Sequence, residues 1–153
     1  MKKIIIPIVV VVILAGLILG GYLMIDSLFP KADPINVPSE SSMVSMTVKK
    51  NEDIKDEEPR EIADADIDDI LSKLSEAEPT RKMSVQDSPD AKTYYEIAAK
   101  TDERTHYFYV YFDNGTCYVE ILYEGIYTVD KGIVNLLPTG DYRNDKKVKI
   151  INP

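Results

Sequence analysis

Cys117 and His106 are the chain's single cysteine and single histidine, the two residue types that a thiol nucleophile and its general base would need within about 3 Å of each other. Their positions keep them apart. Asn114-Gly115 is the strongest short-range hairpin signal in the chain, and a two-residue turn there sets the register of both flanking strands. Asp113 then faces Thr116, Phe112 faces Cys117, Val110 faces Val119, Phe108 faces Ile121 and His106 faces Tyr123. At about 3.3 Å per residue, thiol and imidazole are roughly 17 Å apart. The expectation is a buried small cysteine and a strand-end histidine, not a dyad.

Acidic residues offer other chemistries. Asp64-Ala65-Asp66-Ile67-Asp68 has the spacing of an EF-hand start, but Asp69 stands where the loop needs glycine and Ser75 where it needs the final glutamate. An acidic helix N-terminus accounts for the same residues. One cysteine and one histidine cannot close a four-coordinate zinc site without carboxylates. Glu120 and Glu124 are a pair of carboxylates by type, as glycoside cleavage requires, on a surface where acids are common. No Gly-x-Ser-x-Gly, P-loop or dinucleotide fingerprint occurs. The sequence therefore assigns no catalytic residue, no metal ligand and no cofactor.

What remains is a tyrosine patch. On the hairpin face opposite Phe108, Val110, Cys117 and Val119 lie Tyr107, Tyr109, Tyr111, Tyr118 and Glu120, large rigid side chains with polar tips. Two readings stand open: a ligand-binding surface, or a sheet face covered by the domain's own helix. The five residues are the candidate binding site.

The elements that would position this patch follow from period and punctuation. Met43 to Lys49 alternates as a half-buried strand, and Thr93 to Lys100 reads as another. Asp66 to Ala77 is the best helix, with Ile67, Ile70, Leu71 and Leu74 on one face, Asp64 or Asp66 as cap and Pro79 as stop. Lys82 to Val85 reads as a short strand, Ile126 to Val129 as a strand after a bend at Gly125, and Gly132 to Leu137 as a last strand. The expected fold is α+β, a small antiparallel sheet packed against one main helix.

Ahead of it, Ile4 to Ile25 is a run of 22 residues without a charge, preceded by Lys2 and Lys3 and followed by Asp26. As a helix it would be about 33 Å long, enough for a hydrocarbon core of roughly 30 Å. Its length and its end at Gly20-Gly21-Tyr22-Leu23-Met24-Ile25 fit an uncut anchor better than a cleaved signal. The charge asymmetry puts the N-terminus in the cytoplasm and the rest outside. The expected organisation is an anchor at 1–25, a proline-marked extracytoplasmic tether at 26–42, the domain at 43–142 and a loose basic tail at 143–153.

Net charge is −8, which disfavours nucleic acid as a partner. Three stretches, Ile67-Asp68-Asp69-Ile70-Leu71, Pro79-Thr80-Arg81 to Ser84-Val85-Gln86-Asp87-Ser88-Pro89, and Tyr118-Val119-Glu120 to Tyr123-Glu124-Gly125-Ile126-Tyr127, together resemble a family of domains of unknown function found in anchored or exported proteins of Firmicutes. The resemblance spans about residues 35–137, implies a single domain at a Gram-positive cell envelope, and supplies no catalytic residues. The functional expectation is a membrane-anchored, non-enzymatic module binding a protein, peptide or cell-wall component. The alternative is a small envelope hydrolase or inhibitor acting on wall peptides or glycans.

Overall fold

The N-terminal apolar run forms helix α1, Lys2–Leu28, which ends where the Phe29 N–H donates to the Ile25 carbonyl at 2.9 Å and Pro30 offers no further donor. In this computed structural model, residues 2–52 and 55–138 are described, and the chain divides between Lys31 and Ala32 into two units.

The expected membrane anchor is corrected by the first unit. Among the described residues, no helix is long and apolar enough to cross a membrane. The expected single-pass location, with a cytoplasmic N-terminus, an extracytoplasmic domain and membrane contact through this helix, is not supported.

Among the described residues, the second unit is an eight-stranded antiparallel sheet with one α-helix. Its strands are β1 Met43–Glu52, β2 Lys55–Asp56, β3 Arg60–Glu61, β4 Glu78–Pro79, β5 Thr93–Thr101, β6 Thr105–Asp113, β7 Thr116–Ile121 and β8 Gly125–Thr128. Seven lie in the order β2-β1-β5-β6-β7-β8-β4, and β3 pairs with β1. The expected strands at Met43 and Thr93 are both present and pair with each other, Val48 opposite Ile97 and Met46 opposite Ala99.

Helix α2, Asp64–Ser75, buries Ile67, Ile70, Leu71 and Leu74, the i, i+3, i+4, i+7 face read from the sequence. These join Met46, Val48, Ile97, Phe108, Val110 and Val119 from one face of the sheet in a single core. Asp64 and Asp66 sit in its first turn, where the positive end of the helix dipole favours acids. The N-cap is Ala63 without a side-chain bond, so neither aspartate fills the expected capping role. Lys73 reaches Asp130 at 2.7 Å. That bond raises the lysine's pKa and lowers the aspartate's, although an exposed pair of this kind contributes little to stability.

Three other expectations change. Lys82 to Val85 is not a strand: β4 stops at Pro79, and the segment crosses to Thr93 without regular structure. Gly132 to Leu137 is not a strand either; Lys131–Leu136 is a 3-10 helix capped by the Asp130 carboxyl, which accepts the Gly132 N–H, with Ile133 and Val134 buried. The proposed tether is partly core: Ile35 is buried with Ala32 and Val37 packed nearby, and the Tyr127 hydroxyl donates to the Asp33 carbonyl at 2.8 Å. The basic tail expected at 143–153 lies outside the described residues.

Gly125 makes the close approach of Ala32 possible. A Cβ at Gly125 would lie 2.4 Å from the Ala32 Cβ, so Gly125→Ala should destabilise the domain by about 1–3 kcal/mol. Adding Ala32→Gly should recover part of that loss in denaturant unfolding. No recovery would mean that the two backbones do not meet there.

Candidate functional site

The Asn114-Gly115 turn, with φ of 49° and 80°, has the paired positive φ of a type I′ hairpin. It gives the expected register over five pairs, from Asp113 opposite Thr116 to Tyr109 opposite Glu120. Strand alternation then assigns Tyr107, Tyr109, Tyr111, Tyr118 and Glu120 to one face. β5 adds Tyr94 and Glu96, the latter opposite Tyr109. All five predicted residues are therefore brought onto one sheet face, but they are not equally accessible.

Segment 80–92 covers one half of this face. Ser84 Oγ donates to Glu120 Oε1 at 2.6 Å and accepts the Tyr123 N–H at 3.1 Å. Lys82 Nζ lies 4.2 Å from the centre of the Tyr118 ring, a cation–π contact, and 3.4 Å from Asp113. The Tyr123 hydroxyl bonds Asp87. Under this strap Glu120 is 4% exposed and Tyr111 is 7% exposed, with the Tyr111 and Tyr118 rings stacked at 5.7 Å. Burial, followed by the charge and hydrogen bond of Glu120, raises the Tyr111 pKa. Glu120 and Tyr118 thus hold the strap, and little of Glu120 or Tyr111 is exposed.

The other half is open. Tyr107 is 47% exposed, and Tyr109 is partly buried edge-on to Tyr94 at 5.9 Å. Burial, with Glu96 as the next cause, pushes the Tyr109 hydroxyl up to about 12, so it remains a neutral hydrogen-bonding group. Beside these tyrosines is a cleft of about 590 Å³ whose walls include Arg104, His106, Leu122 and Glu124. The His106 Nε2 accepts from Arg104 Nε at 3.2 Å. Burial and then the nearby guanidinium lower the imidazole's pKa, which favours the neutral acceptor form.

The expected continuation of the hairpin fails below Tyr109. β7 ends at Ile121, and neither Phe108–Ile121 nor His106–Tyr123 is a pair. The Glu124 N–H donates to the Ile121 carbonyl at 3.0 Å, and Tyr123 has φ 66°, a left-handed conformation costly for an aromatic residue. The chain reverses into β8 instead of bending at Gly125 and continuing. Cys117 is buried opposite Phe112, and burial pushes its thiol up to about 11, so little of it is thiolate near neutral pH. Among the described residues, no group of three or more His, Cys, Asp or Glu side chains is placed to hold a metal.

Sequence reasoning missed Lys82, Ser84, Asp87 and Tyr123. The alternation of Lys82-Met83-Ser84-Val85 was visible, but a strand reading turns its apolar pair inward. Met83 and Val85 are 77% and 65% exposed, while Ser84 is buried.

No curated protein matches the chain. A solved NMR structure of a protein from Ruminococcus gnavus is similar at 25% identity and a TM-score of 0.51, covering 65% of this chain and 97% of that one. The model of the DUF5301 family, described as a domain of unknown function (DUF5300), matches residues 31–128, which takes in β1 through β8, and the chain belongs to that family.

Proposed function

We propose that this domain is a non-enzymatic binding module that recognises a protein or peptide through the open half of its tyrosine face. One observation carries the reading: the cleft of about 590 Å³ beside Tyr107 and Tyr109, mixing aromatic, aliphatic and charged walls. Its size is within the range of ligand pockets, and tyrosine contributes interface area at low entropic cost. Hydrolysis is the less favoured reading. Glu120 does not line the cleft and is bonded to Ser84, so it is not paired there with Glu124; the other carboxylate residue on the cleft, Asp33, holds Tyr127 through its backbone carbonyl.

The test is selection from a random-peptide display library on the full chain and on Tyr107→Ala. Truncating a well-placed interface tyrosine costs more than about 1.4 kcal/mol, a tenfold loss of affinity. An exposed side chain contributes within about 0.5 kcal/mol to stability. Tyr107→Ala should therefore lose at least about tenfold in binding to selected peptides while its melting midpoint stays close to wild type. Selected peptides that bind both proteins equally would reject this face as the site.

A further inference from the structure

Strand β6 is bonded unequally on its two sides. Toward β5 it pairs from Thr105 to Val110, but toward β7 only from Tyr109 to Asp113. The Asn114-Gly115 turn makes Asp113 and Thr116 an exchanged pair, and antiparallel ladders alternate. Tyr111 with Tyr118 and Tyr109 with Glu120 are then exchanged pairs as well, and the backbone N–H and C=O of Tyr107 and Thr105 point to the same side. The hairpin at the other end of β6 agrees. There the Thr101 N–H donates to the Arg104 carbonyl at 2.9 Å, so the even-numbered residues His106 and Phe108 bond to β5.

The residue due to pair with Tyr107 is Leu122, but the chain has already turned at Ile121. Tyr123, in its left-handed conformation and held by Ser84 and Asp87, carries the turn away from β6. Among the described residues, no backbone hydrogen bond joins Tyr107 or Thr105 to that turn. Two donor–acceptor sets, about 6.8 Å apart along the strand, therefore border the cleft that Thr105, Tyr107 and Leu122 line.

We propose that this gap in the sheet receives an extended peptide strand, which pairs antiparallel with Thr105–Phe108 by β-augmentation. The inference rests on the binding reading above and names its partner class. Repeated N–H and C=O groups at two-residue spacing complement an extended backbone, whereas a helix has already used its own groups internally. Alternation fixes the side chains too. The peptide residue opposite Tyr107 lies on the tyrosine face between Tyr107 and Leu122, and its two neighbours lie opposite Phe108 and His106 on the other face, so β-branched residues suit those positions. The gap is an interior notch bordered by Arg104 and Glu124, which limits a partner to a short strand and four backbone bonds.

The probe is the acetylated, amidated heptapeptide Lys-Thr-Val-Tyr-Val-Thr-Lys, whose tyrosine is to sit opposite Tyr107 and whose lysines suit a chain of net charge −8. Binding to the full chain is read by fluorescence anisotropy and amide NMR shifts. It should bind with a Kd of about 1 mM or tighter and shift the amides of Thr105 and Tyr107. N-methylation of the peptide's tyrosine, whose N–H is due to bond the Tyr107 carbonyl, should weaken binding at least about tenfold. N-methylation of either valine, whose N–H faces away, should change it less than about threefold. Equal loss at both kinds of position, equal indifference, or no binding of the parent peptide would overturn strand addition. The display selection with Tyr107→Ala is decided separately, so the binding reading can survive that failure.

Discussion

Leu74→Ala should destabilise the domain by about 3–5 kcal/mol, the range for a large aliphatic residue truncated in a core that relaxes only partly. Leu74 has no exposed surface and is the last residue on the buried face of α2. Alanine is the best helix former, so the loss reports docking of α2 on the sheet and not weakened helix propensity. At about 4–8 °C per kcal/mol for a domain of this size, the midpoint should fall by more than 10 °C. Asp68→Ala, on the exposed face of the same helix, should stay within about 0.5 kcal/mol. Equal small effects at both positions would mean that α2 does not close the core.

The parts of this fold legible in the sequence are those specified locally. The period of Ile67, Ile70, Leu71 and Leu74 identifies the buried helical face because 3.6-residue geometry leaves no second solution. Asn114-Gly115 determines five strand pairs because few other residues accept positive φ twice. Legibility stops at Tyr123, where the backbone takes a conformation that glycine or asparagine would have announced and tyrosine does not. The hairpin therefore ends three pairs early, and the cleft beside Tyr107 follows from that early end. Segment 80–92 was illegible for a different reason: the partners that bury Ser84 and hold Lys82, Glu120, Tyr118 and Asp113, are 31 to 36 residues away in sequence. The N-terminal run was read from its charge-free length, its flanking charges and its end, and among the described residues no helix is long and apolar enough to cross a membrane. The tyrosine patch was legible as a face but not as two halves, since its cover is the strap and not the helix, which packs on the opposite side.

Glu120→Ala separates the two roles open to that residue. As a ligand contact, Glu120 would be dispensable for folding and its loss would appear in binding. Its geometry predicts the reverse. The Glu120 carboxyl accepts the Ser84 hydroxyl at a position 4% exposed, and its charge lies close enough to Tyr111 to raise that residue's pKa. Removing it leaves the Ser84 hydroxyl without its buried acceptor, so the loss should be about 1–3 kcal/mol. The Ser84 hydroxyl also anchors the Tyr123 N–H, so its release loosens the strap from the β7–β8 turn as well. Under conditions where the variant is still folded, trypsin should cut after Arg81 or Lys82 faster than in the wild type, because local opening exposes the segment. Glu120→Gln keeps an acceptor oxygen of the same shape and should recover most of the protection. If Glu120→Ala retained wild-type stability and tryptic resistance, the strap would not depend on this carboxyl, and Glu120 would return to the binding face as a residue available to a partner.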